Sequence, residues 1–80
     1  MERHHVAEAR ELVSVNLRRA RKRAGLSQEA LAAASCLHRT ELSLLERGER
    51  DPRVSTLVRL ARALGIDPCD LLEELDDPPG

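Results

Sequence analysis

Arg39, Thr40, Ser43 and Leu44 fall on one side of a short stretch whose other side carries Leu42 and Leu45. Each of the four has something to offer a DNA base. The planar fork of arginine matches the O6 and N7 acceptors of guanine. The hydroxyls of Thr40 and Ser43 bond either base type, and the Thr methyl fits the methyl of thymine. Leu44 offers an apolar contact to the same methyl, or simply covers an interface. Arg47 and Arg50 flank the loop that follows, where Arg47 is placed for backbone phosphate. The chemistry is binding rather than bond-making. An enzyme needs a nucleophile paired with a base, or a metal cluster, usually in a pocket, and these polar residues share a convex helix face.

A helix must carry this face, and a second must hold it. The chain from Gly25 to Gly48, GLSQEALAAASCLHRTELSLLERG, reads as two short helices joined by a tight turn. Ser27 is the expected N-cap of the first and Glu29 suits its first turn. The second spans about 38–47, with His38 as its expected N-cap and a candidate phosphate contact. Ala32 and Ser35 keep bulk low where the helices cross. Gly48 fits a left-handed C-terminal cap. The major groove admits one such helix.

Helix 1 is expected from Ala7 to Ala24, after a frayed start over Met1 to Val6. Val13, Leu17, Ala20 and Ala24, at spacings of four, three and four, form its inner stripe. Leu12 and Val15 lie off the stripe, toward another helix or a partner chain. Residues 48–53 form a loop with Pro52. Helix 4 is expected over 54–64, with Val54, Leu57, Leu60, Ala61 and Leu64 inward and Gly65 capping. Asp67 caps a helix 5 with Pro68 at its first position. Leu71, Leu72 and Leu75 give it an apolar side.

The stretch resembles the helix-turn-helix of the Cro/CI-type repressors, also called the XRE family. Leu17-Arg18-x-x-Arg21, Gly25-Leu26-Ser27-Gln28, Leu31-Ala32, Leu42, Glu46-Arg47-Gly48, Pro52 and Leu60 to Ile66 carry the likeness in register. Within the family, Leu37-His38-Arg39-Thr40 through Glu46-Arg47 is most similar to the small controllers of restriction–modification systems. The resemblance implies an all-α, compact five-helix lambda-repressor-like domain over residues 1–75, its helix-turn-helix formed by helices 2 and 3, with 76–80 a disordered acidic tail. It implies that Gln28 bonds a phosphate and braces the next helix, and that Arg50 enters a narrowed minor groove. It implies a partly buried bidentate bridge between Arg21 and Glu46, a structural role. Cys36 stands where the family has a turn glycine, which forces positive φ or a different bend. Glu41 faces phosphate with the wrong sign unless it pairs with an arginine or accepts from cytosine N4.

The family also implies the function: a sequence-specific regulator that binds double-stranded DNA as a homodimer on a palindrome. The alternative is an antitoxin-type DNA-binding protein that also holds a toxin. Val58, Leu72 and Leu75 are the expected dimer interface, with Leu12 and Val15 as the competing surface.

Composition agrees. Eighty residues make one small domain with a marginal core, which association would help. No Phe, Trp or Tyr is present, so the core is aliphatic and bases cannot stack on aromatic rings as in most single-strand binders. The net charge of −1 hides an asymmetry: Arg18, Arg19, Arg21, Lys22 and Arg23 cluster early, and Asp67, Asp70, Glu73, Glu74, Asp76 and Asp77 late. Cys36 and Cys69 belong to no CxxC pair, and His4 and His5 read as a solvated terminus, so neither a metal nor a cofactor is expected. No apolar run suits a signal peptide or membrane span. A cytoplasmic protein without a small-molecule effector is the expectation.

Overall fold

The computed structural model describes residues 6–75, which form four α-helices and one 3-10 helix. They are α1 (Val6–Arg23), α2 (Gln28–Ala34), α3 (Arg39–Glu46), α4 (Val54–Leu64) and the 3-10 helix η1 (Pro68–Leu72). One aliphatic cluster joins them. It takes Val13 and Leu17 from α1, Leu31 and Ala32 from α2, and Leu42 and Leu45 from α3. Leu57, Leu60 and Ala61 of α4 and Leu71 of η1 complete it. α1 packs on α3 and η1, α2 on α3 and α4, and α4 on η1.

The helix ends follow from local chemistry. Ser27 Oγ accepts from the N–H of Ala30 at 3.0 Å, and His38 Nδ1 accepts from the N–H of Thr40 at 3.2 Å. At the close of α3, the N–H of Gly48 donates to Leu45 O (3.1 Å) and that of Glu49 to Leu44 O (2.9 Å). This paired closure requires a left-handed residue one past the cap, and Gly48 supplies it at φ 72°. The same pair closes α2, from Cys36 to Ala33 O and from Leu37 to Ala32 O. There the left-handed residue is Cys36, at φ 59°.

Several expectations need correction. Of the five α-helices implied, the fifth is the five-residue 3-10 helix η1. Asp67 and Asp70 do cap its start reciprocally. Its C-terminal end, however, is held from outside: Asn16 Nδ2 donates to Leu71 O (3.3 Å) within η1 and to Glu73 O (2.8 Å) just after it. A continuing α-helix would give Leu71 O to the N–H four residues on. Glu73 then turns extended, at ψ 142°. Val54 is 76% exposed rather than inward. Leu57 and Leu60 mark the centre of the buried sector of α4. At 3.6 residues per turn, Val54 lies about 90° round from that centre, and Thr56 is buried instead. Ala24 is exposed too, one residue beyond α1. Val6, assigned to a frayed start, opens α1. His4, His5 and the acidic tail 76–80 lie outside the described residues.

Candidate nucleic-acid interface

α3 is held from behind by ionic contacts and stands open in front. At its C-terminal end the Glu46 carboxylate is 2% exposed. Arg21 Nε donates to Glu46 Oε2 at 2.6 Å and its NH2 group to Oε1 at 3.0 Å, a bidentate pair. The NH1 group of Arg21 donates to Leu26 O at 2.9 Å, tying the pair to the turn before α2. Gln28 Nε2 adds a third donor to Glu46 Oε1 at 3.0 Å. Ser14 Oγ donates to the Glu46 carbonyl at 2.9 Å. Thus α1, the start of α2 and the end of α3 meet at one carboxylate. The hydrogen bonds to Glu46 push the Arg21 guanidinium above its ordinary range and keep it charged.

The front of α3 presents side chains outward. His38, Arg39, Thr40, Ser43 and Arg47 line one open concavity of about 330 Å³. His38, Arg39, Thr40 and Arg47 are exposed, while Ser43 and Leu44 are half-buried. Because Thr40 N–H donates to His38 Nδ1, that nitrogen carries a lone pair and Nε2 faces away from the cap. Gln28 is half-buried and directed to Glu46, with one of its two amide hydrogens used there. Arg50, in the exit loop, donates to Glu41 Oε1 at 2.8 Å. The structure therefore groups five of the eight residues assigned to DNA around one concavity. It sets Gln28 at the brace and Arg50 beyond the helix.

Sequence reasoning missed two features. Asn16, buried at 8% exposure, holds the chain after η1. The available signal was a polar residue between the inner positions Val13 and Leu17. Carboxylates facing Arg39 and Arg47 were also missed: Arg39 lies 3.5 Å from Glu29, and Arg47 lies 3.3 Å from Glu49.

Val58 and Leu75 are half-buried and Leu72 is 48% exposed. Leu12 and Val15 are half-buried. Both cysteines are free and exposed, and the Asp67 carboxylate beside Cys69 holds that thiol above its ordinary range. Among the described residues no His, Cys, Asp and Glu side chains gather as a metal site, and no helix is long and apolar enough to cross a membrane.

Known proteins share this arrangement. The helix-turn-helix family HTH_3 matches residues 17–71. The chain is 43% identical over 72 residues to the uncharacterized HTH-type transcriptional regulator y4dJ of Sinorhizobium fredii, spanning 90% of this chain and 94% of that protein. It is also 43% identical over 65 residues to control protein C.SmaI of Serratia marcescens, covering 81% of this chain and 77% of the relative. Among solved structures, the restriction-modification controller protein C.AhdI of Aeromonas hydrophila superposes with a TM-score of 0.73 at 40% identity. That match covers 75% of this chain and 91% of C.AhdI. These relatives are regulators rather than enzymes, and the chain belongs to the HTH_3 helix-turn-helix family, the XRE family of DNA-binding transcriptional regulators.

Proposed function

We propose that the chain is a sequence-specific transcriptional regulator of the restriction–modification controller kind, acting as a homodimer on a palindromic DNA operator. The concavity on α3 carries this reading. His38, Arg39, Thr40, Ser43 and Arg47 bring base-reading and phosphate-binding groups to one exposed face of a helix that fits a major groove. The buried Glu46–Arg21–Gln28 contacts behind it keep that face in one position.

In this reading Arg39 forks onto guanine, and Thr40, Ser43 and Leu44 read neighbouring base edges. His38 and Arg47 meet phosphate. Gln28 keeps one amide hydrogen for a phosphate at the start of α2 while its other bond supports Glu46. Arg50 reaches an adjacent minor groove. Arg21 and Glu46 act structurally.

One short helix spans too few base pairs for a specific site, so two copies are needed. Val58, Leu72 and Leu75 form the proposed two-fold contact, and the exposure of Val54, one turn before Val58, extends that apolar side of α4. The domain occupies residues 1–75, works in the cytoplasm and responds to its own concentration rather than to a small ligand.

Selection of bound duplexes from a random pool tests this reading. The expected product is a two-fold palindrome with half-sites about 34 Å apart, one helical turn. A pool that yields no enriched sequence overturns it.

A further inference from the structure

Each arginine assigned to the DNA face already has a carboxylate partner in the free protein. Arg39 Nε lies 3.5 Å from Glu29 Oε2, across from α3 to α2. An NH2 nitrogen of Arg47 lies 3.3 Å from Glu49 Oε1, just past α3. Arg50 NH1 lies 2.8 Å from Glu41 Oε1, from the exit loop back to the helix. None of the six side chains is buried; their exposures run from 29% to 67%. Pairs this wet add little to stability. Glu29 and Glu41 also suit the first turns of α2 and α3, but Glu49, past the end of α3, has no such helix-dipole role. A surface meant only to attract a polyanion would omit all three carboxylates.

We propose that Glu29, Glu41 and Glu49 set the affinity and selectivity of DNA binding by holding Arg39, Arg47 and Arg50 in ion pairs that the duplex must displace. The inference rests on the functional reading above. When phosphate takes an arginine, the released carboxylate stays within a few ångströms of that phosphate. This is less than the screening length of about 8 Å at physiological salt, so attraction and repulsion arrive together. Binding to unrelated DNA is almost wholly electrostatic, and there the repulsion acts uncompensated. At an operator, Arg39 exchanges Glu29 for two hydrogen bonds from a guanine edge. Glu29 therefore penalises wrong sequences more than right ones and is a specificity-determining residue. Released carboxylates also gather cations, which offsets part of the counterion release and flattens the salt dependence.

The test compares the parent with Glu29→Gln, Glu41→Gln, Glu49→Gln and the triple variant. The probes are a duplex enriched by selection and an unrelated duplex, each titrated over a range of salt. Glu74→Gln, the same charge change beyond η1, is the control for net charge. Glu29→Gln is expected to tighten binding to the unrelated duplex about fivefold, on the order of one contact between unit charges in water. The enriched duplex gains less, so the specificity ratio falls. Glu41→Gln and Glu49→Gln tighten binding to both, and the triple variant shows a steeper salt dependence. In an Arg39→Ala background the Glu29→Gln gain shrinks, because only the direct repulsion between Glu29 and phosphate is left to relieve. Should glutamine disturb α2, Glu29→Ser repeats the comparison. A Glu29 variant indistinguishable from Glu74→Gln, or a gain undiminished by Arg39→Ala, overturns the proposal while leaving the functional reading intact. A parent that enriches no duplex overturns both.

Discussion

Cys36 closes α2 with the two hydrogen bonds that Gly48 makes for α3, but it carries a Cβ at φ 59°. A non-glycine residue in this region costs roughly 1–2 kcal/mol. Cys36→Gly removes that strain and returns some flexibility to the unfolded chain. The net expectation is a gain of about 0.5–1 kcal/mol in urea unfolding; a lower midpoint would show that the thiol's own contacts matter more. Arg39 tests the reading surface. Its guanidinium is more than half exposed and, among the described residues, pairs with Glu29 at long range, so Arg39→Ala should leave the fold untouched. It should cost roughly 1–3 kcal/mol per half-site at an operator while weak binding to unrelated duplexes survives. An unchanged ratio of the two affinities, read by anisotropy, would remove Arg39 from base reading. The types of these residues were legible in the sequence because cap, turn and outer-face positions are local. The partner of Arg39 was not, since Glu29 lies ten residues away on another element; for Glu41 an arginine partner was one of the two readings, and Arg50 supplies it.

At the scale of the elements, the orientation of α3 depends on one buried carboxylate. Glu46 is 2% exposed and Arg21 is 14% exposed. Removing one member of a buried pair strands the other, at about 3–5 kcal/mol when both are fully buried. Both Arg21→Ala and Glu46→Ala should therefore lower the unfolding midpoint. Arg21→Ala should cost more, because it strands the deeper partner, leaving Gln28 as its donor among the described residues. Equal midpoints for parent and Arg21→Ala would instead make Arg21 a surface phosphate contact. The same scale shows where pattern reading stops. Apolar spacing located α1, α3 and α4 to within a residue or two, because each buries one stripe, while the Ser27 cap marked the start of α2. It placed Val54 inward since valine recurs near the right period, but the core meets α4 through Leu57 and Leu60, a quarter turn away. Nor did leucine spacing tell η1 from an α-helix; the deciding contact comes from Asn16, 55 residues earlier.

For the molecule as a whole, the question is what covers its remaining apolar surface. Leu72 is 48% exposed and Val54 76% exposed. Leu72→Glu should give a monomer by sedimentation that keeps its helical spectrum and binds operator DNA far more weakly. A parent that sediments as a monomer at micromolar concentration would remove the two-fold contact. A dimer split only by changes at Leu12 or Val15 would move it to α1.

Asn16 has a consequence in time as well as in space. Its bond to Leu71 O closes a loop of 55 residues, whereas the Gln28–Glu46 bond closes one of 18. Loop entropy grows with the logarithm of length, so the longer closure costs about 1 kcal/mol more. Short-range contacts also favour rapid formation. The order of assembly during refolding is therefore set: α2 and α3 dock first, and the segment around Leu72 is fastened last. In pulse-labelled amide exchange, protection within α3 should precede protection at Asp70. A newly folding chain thus completes its reading head before the surface through which it would meet a second copy.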